Sequence, residues 1–201
     1  MRGGRRGRPR PPEGSTIGAT RGKRAGVTRR KLGFPHPMKR IDFFFYGTLR
    51  DPTVRHLVLG PVIPKPVTTS ATLPGYRVAA MENGLYPIAV ADKASVAEGL
   101  LVSGVDLTAA SRASFFEDDG YDYGIDRRTV VASGGRAAQA WVYLPSSRLR
   151  PDPGHWQFAE WERRYRSRFL AGAHRAMRAC RAADIERHRQ AWHKRLGGGI
   201  D

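Results

Sequence analysis

The chain has 201 residues, enough for one domain with tails rather than two full domains. It carries 35 Lys and Arg against 18 acidic residues, a net charge of +17, on an otherwise ordinary globular composition with 40% apolar residues. No run approaches the roughly 18 apolar residues of a membrane span. No apolar h-region follows the basic N-terminus, and the single cysteine, Cys180, excludes an internal disulfide and fits a reducing, cytoplasmic setting.

The charge is uneven. Residues 1–40 hold 13 basic residues and one acid, residues 41–155 hold 11 and 12, and residues 156–196 hold 11 and 4. Residues 1–38 are dominated by Gly, Pro, Arg and Thr, with Phe34 the only aromatic. They read as a disordered basic tail that cannot bury enough surface to offset its ordering entropy. The tail is Arg-rich and acid-poor like an organellar transit peptide, but its Gly and Pro make a poor amphipathic helix. Met38, just before the first strand, is an alternative translation start. A domain over 39–150 and a C-terminal helical extension over 151–201 follow.

Ile41–Tyr46 is a near-continuous apolar run, the mark of a strand buried on both faces. It ends at Gly47. Asp51-Pro52 then opens a short helix, Asp51 as cap and Pro52 at its first position, with Val54, Leu57 and Val58 inward. Thr68–Leu73 and Tyr76–Ala80 read as strands flanking a turn at Pro74-Gly75. Tyr86–Ala91 follows the turn Glu82-Asn83-Gly84, and Val96–Val105 follows in turn. Leu107–Phe116 reads as a helix capped by Asp106, with Leu107, Ala110 and Phe115 on one face. Arg128–Ala132 and Ala137–Leu144 form a hairpin across Gly134-Gly135. The last third is helical. Trp161, Tyr165, Phe169, Ala173, Met177 and Cys180 recur every three or four residues as a core stripe, and a break is expected near Ala182-Ala183-Asp184. Strands first, one inserted helix, then C-terminal helices predict an α+β fold on a mostly antiparallel sheet or barrel.

Two segments carry candidate chemistry. A strand that stops at Gly47 and turns into a helix exposes several backbone N–H groups, which can hold a carboxylate or a developing oxyanion. The same residues fit an ordinary strand end with a helix cap. The second segment is Phe115-Phe116-Glu117-Asp118-Asp119-Gly120, followed by Tyr121-Asp122-Tyr123. A carboxylate after two phenylalanines, with like charge beside it, is suited to proton transfer near neutral pH once desolvated. A solvated acidic turn fits as well. Mg²⁺ ligation by Asp118-Asp119 lacks supporting Gly spacing or a His cluster, and the histidines are scattered, so no metal site is expected. Cys180 reads as packing rather than as a nucleophile.

Together these segments resemble the γ-glutamylcyclotransferase-like (AIG2-like) family over roughly residues 41–145. The resemblance rests on a strand ending in Tyr46-Gly47-Thr48-Leu49 and on Gly84-Leu85-Tyr86-Pro87-Ile88. It rests further on Val96-Ala97-Glu98-Gly99-Leu100, on Glu117 with Tyr121 and Tyr123, and on Ala140-Trp141-Val142-Tyr143. It implies a mostly antiparallel β-barrel with an inserted helix, and cofactor-independent cyclisation of a γ-glutamyl amine or dipeptide to 5-oxoproline. It also implies Glu117 as the acid/base, the backbone of Tyr46, Gly47, Thr48 and Leu49 holding the substrate's polar groups, and Tyr123 and Tyr143 lining the pocket. The usual Glu-Gly of the acidic turn is Glu117-Asp118 here, with glycine delayed to Gly120. The alternative is a catalytically silent domain of this family whose Arg-rich ends contact nucleic acid or an acidic partner.

Overall fold

The computed structural model describes residues 39–82 and 84–197. The basic tail over 1–38, its alternative start at Met38 and any nucleic-acid contact it makes lie outside the described residues. The elements are β1 (Ile41–Phe45), α1 (Pro52–Leu59), β2 (Val67–Met81), β3 (Pro87–Val105), α2 (Leu107–Phe116), β4 (Tyr123–Ala132), β5 (Ala137–Pro145), β6 (Pro151–His155), α3 (Phe158–Arg164), α4 (Arg166–Ala179) and α5 (Ala182–Arg195).

Five strands close on themselves. β1 pairs antiparallel with β3, Phe45 opposite Leu100, and parallel with β5, Phe43 opposite Trp141. β5 pairs antiparallel with β4, β4 touches β2 at Ala71 and Thr72, and β2 returns along β3 to complete the circuit. β6 adds to the far end of β2. The fold is therefore α+β, a barrel that is antiparallel except between β1 and β5. Alternation along β1 divides the core. Phe44 and Tyr46 join a cluster made of strand residues such as Leu73, Leu101, Val130 and Val142, inside the barrel. Ile41, Phe43 and Phe45 join the cluster shared with the helices, including Val54, Ala110, Trp161 and Trp192.

The expected strands over 68–105 are ladder segments of two longer strands. Pro74-Gly75 does not turn the chain. The register shifts between Pro74 and Tyr76, Gly75 takes φ 81°, and Asp92–Ser95 bulge opposite it. Asp92 closes the bulge by accepting from the Ala94 N–H and the Ser95 hydroxyl. The Gly and Pro that read as a turn thus serve as a bend. β4 starts at Tyr123 rather than Arg128. β6 is a strand inside the expected helical extension over 151–201; Pro151, Pro153 and Gly154 hide it in the sequence, and it sits where proline is tolerated, at an edge.

The helices α1 and α2 begin as expected. Asp51 accepts from the N–H groups of Thr53 and Val54, and Asp106 from that of Ala109. The C-terminal helices break at Cys180-Arg181, just before the expected place, where the Arg181 N–H donates to Asp184. A second break at Tyr165 changes the helical phase and leaves that side chain 39% exposed, off the core stripe.

Gly99 marks the tightest contact between β1 and β3. A Cβ there would stand 2.5 Å from the Phe45 carbonyl oxygen and from the Phe44 ring. Gly99→Ala is expected to lose about 2 kcal/mol or more in urea unfolding, whereas Gly124→Ala, with open space around it, changes stability much less.

Candidate active site

Two chain segments meet at one end of the barrel. The first leaves β1 at Tyr46. Gly47 opens a 3₁₀ turn over Thr48–Arg50, in which the Arg50 and Asp51 N–H groups donate to the carbonyls of Gly47 and Thr48. Arg55 donates to the carbonyls of Leu49 and Arg50. The turn's carbonyls are thereby engaged, while the N–H groups of Gly47, Thr48 and Leu49 have no hydrogen-bond partner among the described residues. Gly47 lies close to the opposite wall, since a Cβ on it would meet Pro87 at 3.1 Å.

The second segment is the end of α2. The Asp118 N–H donates to Phe115 O and the Asp119 N–H to Ser114 O, a closing pattern that puts Asp118 in the left-handed region at φ 48°. This is the conformation glycine adopts most readily, and Asp118 stands where the family pattern has glycine. The departure seen in the sequence therefore alters the side chain at the turn and leaves its backbone path available. Glu117, the last residue before this turn, is thereby set at the mouth of the barrel.

A cavity of about 170 Å³ lies between the two segments. Every residue given a site role from the sequence borders it, namely Glu117, the run Tyr46 to Leu49, Tyr123 and Tyr143, whereas Tyr121, quoted beside them, is exposed and does not. Tyr86 and Asp122, which the sequence motifs include without a site role, and Phe169 also border it. Phe169 carried a signal only for core packing, and its ring does pack edge-on against Phe116 and Trp161. Nothing in its spacing distinguishes a cavity wall from a core.

Burial pushes the Glu117 carboxyl up from 4.5 to about 8. No Lys, Arg or His borders the cavity to counter that effect. Burial also raises the phenols of Tyr46, Tyr123 and Tyr143 well above their ordinary range, so they are neutral. All three hydroxyls are committed within the fold, that of Tyr123 donating to the Pro87 carbonyl at 3.4 Å. Tyr46 donates to the Tyr143 carbonyl at 2.9 Å, and the Tyr143 hydroxyl pairs with Ser114 Oγ at 2.9 Å, which in turn accepts from Trp192 Nε1 at 3.0 Å. These tyrosines present mainly ring surface, and the other polar groups at the cavity are the Glu117 carboxyl, the side chains of Thr48, Tyr86, Asp118 and Asp122, and the backbone N–H groups of the turn. Among the described residues, no group of three His, Cys, Asp or Glu side chains is arranged to hold a metal ion, and no helix is long and apolar enough to cross a membrane.

A closed, mostly antiparallel barrel with an inserted helix and packed C-terminal helices defines a γ-glutamylcyclotransferase-like fold. The family model described as gamma-glutamyl cyclotransferase, AIG2-like, matches residues 43–163, and the chain belongs to that family. AIG2-like protein A of Arabidopsis thaliana is 28% identical over 130 residues, 64% of this chain and 76% of that protein. Protein AIG2 A of the same plant is 29% identical over 140 residues, 68% of this chain and 78% of that protein. A solution structure of a protein from Arabidopsis thaliana superposes with a TM-score of 0.51 at 25% identity, covering 68% of this chain and 90% of that one.

The displaced carboxyl has a consequence for stability. The folded chain keeps a proton on Glu117 up to about pH 8, while the unfolded chain releases it near 4.5. Stability from this group is therefore full below about pH 4.5 and is lost as pH rises toward 8. Glu117→Gln removes the dependence. Its thermal or urea stability relative to wild type is expected to rise between pH 5 and 9 by an amount on the order of 3–5 kcal/mol; parallel pH curves would contradict the buried, neutral carboxyl.

Proposed function

We propose that this protein is a cytoplasmic, cofactor-independent γ-glutamylcyclotransferase that converts a γ-glutamyl amine or dipeptide to 5-oxoproline and the free amine, with Glu117 as the acid/base. The observation that carries this reading is a desolvated carboxyl, without a cationic partner, bordering the same small cavity as three unused N–H groups. Family membership supports it.

The N–H groups of Gly47, Thr48 and Leu49 take the substrate's α-carboxylate, in a cavity that offers no cationic side chain for that purpose. The α-ammonium then faces Glu117. A carboxylate with an affinity for protons near pH 8 is basic enough to take one from an ammonium, and its conjugate acid is strong enough to return it. The freed α-amino nitrogen attacks the γ-carbonyl carbon of the same molecule. A new C–N bond closes the five-membered ring, the old C–N bond to the leaving amine breaks, and that nitrogen takes the proton held by Glu117; the ring nitrogen then gives its second proton to the freed Glu117 carboxylate, which passes it to the departing amine, released as an ammonium. Atoms and charge balance, and the enzyme returns to its starting state. Holding the glutamyl chain bent removes much of the entropic barrier to ring closure. The rings of Tyr46, Tyr123 and Tyr143 enclose the reacting atoms and exclude water.

The test is quantification of 5-oxoproline from a panel of γ-glutamyl amines and dipeptides. Wild-type protein is expected to release it, and Glu117→Gln, folded by circular dichroism, to release it about 10²–10⁴-fold more slowly. Equal release by the two proteins, or none across the panel from folded wild type, would contradict the assignment.

A further inference from the structure

Residues beyond the family match at 163 reach both segments of the site. Arg166, at the start of α4, donates through Nε to Asp51 Oδ2 at 2.6 Å and through Nη2 to Thr53 Oγ1 at 2.7 Å. Asp51 directly follows the 3₁₀ turn that carries the free N–H groups. Arg195, at the end of α5, grips Asp119 with both terminal nitrogens, at 2.7 and 3.0 Å. Asp119 lies two residues from Glu117. Both carboxylates have side chains only 1% exposed. A third link runs from Trp192 of α5 through Ser114 to Tyr143 on the cavity wall.

Buried ion pairs are weak net stabilisers, because desolvating the two charges offsets most of their attraction. What a forked arginine on a carboxylate supplies is a fixed geometry. Each segment of the site has such a fork at its base. The end of α2 has particular need of one, since it holds a non-glycine residue, Asp118, at φ 48° immediately after Glu117.

We propose that α4 and α5 form a two-point clamp on the site. Arg166, acting through Asp51, fixes the Gly47–Leu49 turn that receives the substrate. Arg195, acting through Asp119, fixes the Glu117 carboxyl. Both are positioning residues, and the inference rests on Glu117 being the acid/base. The clamp separates binding from chemistry, so its two halves fail differently.

The test uses the full chain with Arg166→Met, Arg195→Met, Arg195→Lys and the double variant Asp119→Asn/Arg195→Met, which removes the orphaned charge should Arg195→Met not fold. Arg195→Met is expected to lower kcat for 5-oxoproline release by about tenfold or more, with KM within about threefold. Arg195→Lys, which keeps the charge but not the fork, recovers part of the loss, and the folded double variant remains slow. Arg166→Met is expected to raise KM by about tenfold while kcat stays within about threefold. In parallel, the Glu117 carboxyl is titrated by ¹³C NMR, and its midpoint is expected to move by about half a unit or more in Arg195→Met or the double variant, but not in Arg166→Met. Wild-type kcat and an unmoved midpoint in folded Arg195 variants would overturn the clamp on Glu117, and an unchanged KM in Arg166→Met would overturn the clamp on the turn. Absence of 5-oxoproline from wild type would sink the cyclotransferase reading instead; the NMR midpoint would then decide the Arg195 clamp alone.

Discussion

β1 lies between two strands and between two apolar clusters, with neither a free edge nor a solvent face. That constraint orders the rest of the molecule. Phe43 stacks on Phe45 and on Tyr143 and meets Trp192 edge-on, tying the barrel wall to α5. Phe44 fills the barrel and leaves no room for a side chain at position 99. A strand held this firmly ends at a defined place, so the turn at Gly47 has a fixed position relative to the opposite wall. The N–H groups of that turn owe their placement to packing several residues upstream.

The molecule treats its buried carboxylates in two ways. Asp51 and Asp119 are almost wholly enclosed, and each has an arginine fork. For Asp51, burial alone would raise the pKa, but the hydrogen bond from Arg166, the N–H groups of Val54 and Thr53 and the Arg166 charge hold it below the usual carboxylate range. Glu117 has no such partner, and burial raises it into the range where proton exchange at neutral pH is easy. The contrast sets two partnered carboxylates apart from an unpartnered one within one small domain. In the proposed reaction it also sets a balance, because the neutral Glu117 that folds most comfortably is not the ionised form that accepts a proton. A cationic substrate group entering the cavity shifts that balance toward the ionised form.

Local chemistry made much of this legible in advance. Asp51-Pro52 and Asp106 are capping signals whose meaning does not depend on distant partners, and both helices start where those residues stand. The apolar run of β1 announced a strand buried on two faces. Pro74-Gly75 misled because the same dihedral freedom serves a turn or a bulge, and only the pairing of β2 with β3 selects between them. Pro153-Gly154 concealed β6 for the same reason. In the site, Glu117 and the Tyr46–Leu49 run were visible as local patterns of charge, aromatic residues and glycine. Phe169, Trp192, Arg166 and Arg195 were not, because their roles arise from contacts more than 75 positions away along the chain for the three that hydrogen-bond into the site. No local spacing encodes them.

The most direct test of the account is the pH profile of kcat/KM for 5-oxoproline formation by the wild-type protein, measured from pH 5 to 9. If the desolvated Glu117 carboxylate is the base of the free enzyme, activity rises through a midpoint near 8. A profile already level by pH 6 would mean that the reacting group titrates as an ordinary solvated carboxylate, and would contradict the account.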